Sequence, residues 1–82
     1  MNIIDKIDKY LNEKKTTTQI NADLIVKQEW KSSGASKTWD TQMLQKALIK
    51  VVNQPTVKLK NKTLKITQGL IEAIWTAFEV YL

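Results

Sequence analysis

Eight side chains of this sequence combine residue type and spacing in a way that can do chemistry, and that chemistry is the recognition of negative charge. Gln45, Lys46 and Lys50 stand three, four and eight residues after Gln42, and Lys58, Lys60, Lys62 and Lys65 crowd into eight positions. Glutamine can bond the edge of adenine bidentately, while a lysine ammonium neutralises a phosphate as a point charge. Residues 27–65 hold nine lysines against Glu29 and Asp40 alone, whereas the flanking segments are neutral or acidic. The net charge of +5 is therefore concentrated, and such a concentration is the electrostatic footprint of a polyanionic or acidic partner. All thirteen basic residues are lysine. Without the planar fork of arginine, which reads guanine and grips phosphate bidentately, such a surface is expected to bind with modest sequence preference and strong salt dependence. Each cluster also has a plainer reading, Gln and Lys as an ordinary solvated helix face, and strand lysines as protection against edge-to-edge aggregation.

Other chemistry is poorly provided for. The chain contains no histidine and no cysteine, so the commonest general base, the commonest metal ligand and any disulfide are missing. No glycine-rich phosphate loop or nucleophile elbow occurs, and the acidic pairs Asp5/Asp8 and Glu72/Glu79 fall at spacings typical of solvated faces. The expectation is a non-enzymatic protein with no cofactor and no metal. The amino-terminal segment is charged from Asp5 onward, and the apolar stretch 70–82 is interrupted by Glu72 and Glu79, so neither a signal peptide nor a membrane span is expected, and a cytoplasmic protein is.

Periodicity and punctuation place these residues on five elements within one small domain covering residues 1–82. Ile3, Ile4, Ile7, Tyr10 and Leu11 form the apolar stripe of a helix over about 2–13. Asn21 reads as the cap of a second helix running to about 31, with Ile20 and Ile25 at staple spacing. The turn formers Ser32–Lys37 break the chain. Thr38 then reads as the cap of a third helix over 38–53, striped by Met43, Leu44, Ala47, Leu48, Val51 and Val52. After Pro55 the period changes to two: Val57 and Leu59 on one limb, Leu64 and Ile66 on the other, which indicates a hairpin over 56–66. Ile49 of the third helix is expected to pack against this hairpin. A two-residue loop at Asn61-Lys62 would pair 60 with 63, 59 with 64 and 57 with 66, Asn61 tolerating the positive φ of a primed turn. Thr67 caps a last helix over 68–81. The fold class is mainly α with one β-hairpin, an α+β chain.

This order of elements over about residues 20–66 resembles the winged helix-turn-helix domains of DNA-binding proteins. The resemblance implies that helix 38–53 enters the major groove of duplex DNA and that hairpin 56–66 is the wing on the flanking backbone, with Gln42, Gln45, Lys46, Lys50, Lys58, Lys60, Lys62 and Lys65 as the contacts. The rival partner is an acidic protein surface bound by a phage-type or mobile-element accessory protein. Leu11-Asn12-Glu13, at the end of an amphipathic first helix, resembles the leader of prohead-targeted internal proteins of T4-like phages, in which cleavage follows a Leu-x-Glu motif.

Two apolar features stand beside the lysines. The wide apolar surface of helix 68–81 suggests a homodimer through Leu70, Ile74, Ala77 and Tyr81. Trp30, Trp39 and Trp75 are expected in the core, Trp30 and Trp39 pinning the corner between the second and third helices; the alternative places Trp30 or Trp39 on the surface as an interface anchor.

Overall fold

A computed structural model describes residues 16–82. The helix expected at 2–13 and the Leu11-Asn12-Glu13 motif lie outside the described residues. The elements are α1 (Thr17–Ser32), α2 (Ala35–Thr38), α3 (Thr41–Val52), β1 (Thr56–Leu59), β2 (Lys62–Lys65) and α4 (Gln68–Phe78), closed by a 3-10 turn at Glu79–Tyr81. Among the described residues helices dominate and the one sheet is an antiparallel hairpin, so the α+β class stands. The order of helices, hairpin and helix that suggests a winged domain is present, but among the described residues no third strand joins the hairpin.

Helix α1 begins four residues earlier than expected. Thr16 is extended (φ −68°, ψ 157°), and its Oγ1 accepts a hydrogen bond from the Gln19 amide at 3.1 Å. Thr17 and Thr18, β-branched residues that read as part of a connector, are helical, and the turn they open is tied down by Gln19, whose Nε2 donates to Asp23 Oδ1 within the helix at 3.1 Å and to the Ala73 carbonyl of α4 at 3.4 Å. Asn21 is consequently no cap, and its Oδ1 instead accepts from Lys62 Nζ at 2.9 Å, tying the hairpin tip to α1.

The corner between α1 and α3 also differs from expectation. Gly34, at φ 85°, ends α1 in the left-handed region that glycine enters without penalty. Thr38 does not cap the next long helix. It ends the single turn α2, and Trp39 then adopts φ 53°, ψ 43°, a left-handed conformation that costs an L-residue about 1–2 kcal/mol. Asp40 takes the cap, its Oδ1 accepting from the amides of Gln42 at 3.0 Å and Met43 at 3.3 Å, and α3 starts at Thr41. An edge-to-face contact of Trp39 with Trp30, 5.2 Å between centroids and 82° between planes, offsets about 0.5–1.5 kcal/mol of the strain. The two tryptophans do pin the corner, but Trp39 is 72% exposed and does not belong to the core.

The hairpin keeps its expected faces and changes its partners. Val57 lies opposite Leu64, Lys58 opposite Thr63, Leu59 opposite Lys62 and Thr56 opposite Lys65, with Lys60-Asn61 as the two-residue turn. The shift against the expected register is two residues, so inward and outward positions are preserved. Its gain is electrostatic. The expected register set Lys58 against Lys65, and the observed one sets no lysine directly against another. Gly34 and Trp39 are the positive-φ residues among those described, so the turn is not of the primed type.

Thr67 caps α4 as expected, Oγ1 accepting from the Leu70 amide at 3.2 Å. The core joins Ile25 and Val26 of α1, Leu44 and Leu48 of α3, Val57 and Leu59 of β1, and Leu70, Ile74, Ala77 and Phe78 of α4. Helix α4 packs along α1 and also meets α3. That double packing buries three of the four residues that suggested a dimer. Leu70, Ile74 and Ala77 are 4%, 0% and 4% exposed, and Tyr81 stacks half-buried on Trp30 at 4.9 Å. Leu70, Ile74 and Ala77 therefore serve the interior of one chain, while Tyr81 is only partly covered. Ile49, expected to pack inward, is 44% exposed, because Leu44, Leu48 and Val51 already fill the side of α3 that meets the core.

Candidate nucleic-acid interface

The lysines are drawn together by the way α1 crosses the hairpin. Gln28 Nε2 donates to the Lys58 carbonyl at 3.1 Å, so α1 and β1 are clasped toward the carboxy-terminal end of the helix. A groove opens on either side of that clasp, and Gln28 lines both. The first groove, about 560 Å³, lies between α1, α3 and β1, with Lys46 and Lys50 from α3, Lys58 from β1 and Glu29 from α1 on its walls. The second, about 420 Å³, lies between α1 and the hairpin tip, with Lys27 and Lys31 on one side and Lys60 and Lys62 on the other.

Five of the six expected lysines thus fall on the two grooves: Lys46, Lys50 and Lys58 on the first, Lys60 and Lys62 on the second. Lys65 is exposed on β2, where it faces Thr56, and lines neither groove. Gln42 and Gln45 are exposed on the outer face of α3 and likewise line neither. That outer face, with Ile49 between the glutamines and Asn53, is separate from the grooves but shares Lys46 and Lys50 as its border. Asn53 turns its amide back to donate to the Ile49 carbonyl at 2.9 Å.

Lys27 and Lys31 are the site residues that sequence reasoning passed over. They belong to the set Leu24, Lys27, Gln28, Lys31, whose spacing of three, four and seven marks one face of a helix. The signal was legible as a face, but its alignment with the hairpin tip depends on the Gln28 clasp, which joins residues thirty positions apart.

Two carboxylates modulate this surface. Glu29 stands on the wall of the first groove among three lysines, and burial pushes its carboxyl above the ordinary value, partly opposed by hydrogen bonding with the side chains of Gln28 and Ser32. Asp40 occupies the amino terminus of α3 and saturates the amides of Gln42 and Met43, so that helix end is already supplied with an anion and is no seat for a phosphate. Away from the lysine face, Tyr81 is held above its ordinary pKa by burial and, secondarily, by the charge of Asp23. Among the described residues no group of three or more acidic side chains gathers where it could hold a metal ion, and no helix is long and apolar enough to cross a membrane.

No protein-family model, curated protein or solved structure matches this chain.

Proposed function

We propose that this chain is a small, non-enzymatic protein that binds duplex nucleic acid, in the first instance DNA, by neutralising its phosphates, and that it does so in the cytoplasm, the host's if the chain is encoded by a phage or mobile element. The observation that carries the reading is the convergence of seven lysines from three separate elements, α1, α3 and the hairpin, on the two grooves that flank Gln28. A duplex presents one charge about every 1.7 Å of its axis, so a broad, many-pronged basic face suits it better than a single pocket would. Lys46, Lys50 and Lys58 take one stretch of backbone, and the hairpin tip with Lys60 and Lys62 takes the next. Gln42 and Gln45, on the adjoining face of α3, supply what base preference there is. The lysines act as point charges, so affinity resides mainly in counterion release.

The direct test is fluorescence anisotropy of a labelled random duplex titrated with the protein at 50, 100 and 200 mM salt. Micromolar binding that weakens steeply with salt is the expected result. Absence of binding at 50 mM removes the reading.

A further inference from the structure

The second groove has a property that phosphate binding does not call for. Its floor is aliphatic: Leu24 is 46% exposed there, Leu59 closes the base, and Ile20, one turn before Leu24 on the same face of α1, continues the strip at 47% exposure. Its rims are cationic on both sides, Lys27 and Lys31 on the helix and Lys60 and Lys62 on the hairpin, and among the described residues no carboxylate lines the space between them. Lys62 is fixed in place by its hydrogen bond to Asn21. A duplex laid across these rims would engage the ammonium groups and leave the leucine largely uncovered, because a sugar-phosphate backbone projects no aliphatic side chain to fill a cleft of about 420 Å³. Charge and shape are both complementary to a different ligand.

We propose that this groove is a docking site for a short acidic segment of a partner protein, one that seats a single apolar side chain on Leu24 and Leu59 and spreads its carboxylates to the two lysine rims. Burial of the apolar side chain supplies affinity, and the paired lysine rims hold the peptide in the groove beside α1. The site does not depend on duplex binding. It shares Lys27, Lys31, Lys60 and Lys62 with that reading but not Leu24, so the two can fail separately.

The probe is a fluorescein-labelled peptide of aspartates and glutamates around one central leucine, with a twin in which serine replaces the leucine, each titrated with the full chain in the absence of nucleic acid. The leucine peptide is expected to bind about tenfold more tightly than its twin, as befits partial burial of one aliphatic side chain. The variant Leu24→Ser, at a half-exposed position, abolishes that ratio while leaving duplex binding unchanged. The exposed pair Lys27→Glu and Lys31→Glu weakens both peptides and keeps the ratio. Equal binding of the two peptides, or a ratio that survives Leu24→Ser, overturns the proposal. So does a Leu24-dependent uptake of phosphatidylserine vesicles without uptake of the peptide, which would make the occupant a lipid, or Leu24-dependent self-association in sedimentation, which would make it a second copy.

Discussion

If phosphate contact follows the geometry of the two grooves, then removing lysines from the face and removing the same number from elsewhere must have different effects. The seven groove lysines give a slope of log affinity against log salt of about −6, taking about 0.9 per neutralised phosphate. The double variant Lys46→Gln, Lys50→Gln takes away two of them, and the slope is expected to fall to about −4.5. Between 50 and 200 mM salt the wild-type chain then loses affinity by a factor of order 10⁴, and the variant by a factor roughly tenfold smaller. The control is Lys37→Gln, Lys65→Gln, which lowers the net charge by the same two units at exposed positions that line neither groove. Its slope is expected to match wild type. Anisotropy of a labelled duplex measures all three, and circular dichroism confirms that each variant retains its helices. Equal flattening in the two variants would refute the reasoning, since binding would then answer to total charge and not to the face.

Other expected outcomes rest on individual contacts. Glu29 carries a raised pKa from burial, so the folded chain holds its proton more tightly than the unfolded chain does, and its contribution to stability falls as pH climbs from the ordinary glutamate value through the raised one. Glu29→Gln should flatten that limb of the stability profile and tighten duplex binding at neutral pH by about threefold, on the scale of one like charge removed near a phosphate in water, as anisotropy across pH 4–8 can show. Ile74→Ala removes a fully buried side chain from α4 and should cost about 2–5 kcal/mol in urea unfolding. The unfolding midpoint should not change with protein concentration, as it would if Ile74 lay in a dimer interface. Asp40→Ala leaves the Gln42 and Met43 amides without their acceptor, with an expected loss of about 1 kcal/mol that Asp40→Asn largely avoids, measured by thermal or urea unfolding.

How far the fold is legible differs from element to element for identifiable reasons. Thr67 and the alternation from Val57 to Ile66 are local signals with no strong competitor, and the structure contains both the cap and the hairpin. Thr38 and Asp40 are rival caps two residues apart, and the choice depends on Trp39 being held left-handed by Trp30, a contact no window of sequence displays. The hairpin register differs from expectation because a shift of two preserves every inward and outward position; what distinguishes the registers is lysine facing lysine across the strands. The candidate site shows the same division. Lysines on α3 and the hairpin are evident as clusters, while Lys27 and Lys31 look like part of a solvated helix until the Gln28 to Lys58 bond sets them beside the hairpin tip. The apolar excess of α4 is real in sequence, and packing against two helices instead of one accounts for it.

The most direct measurement is a titration of the ¹⁵N-labelled chain with a short random duplex, followed by amide chemical shifts at low salt. The proposed interface calls for shifts concentrated at Gln28, Lys46, Lys50 and Lys58 through Lys62, with Lys37, Lys65 and α4 left quiet. Shifts centred on Trp39 or on α4, or none at any duplex concentration, would contradict it.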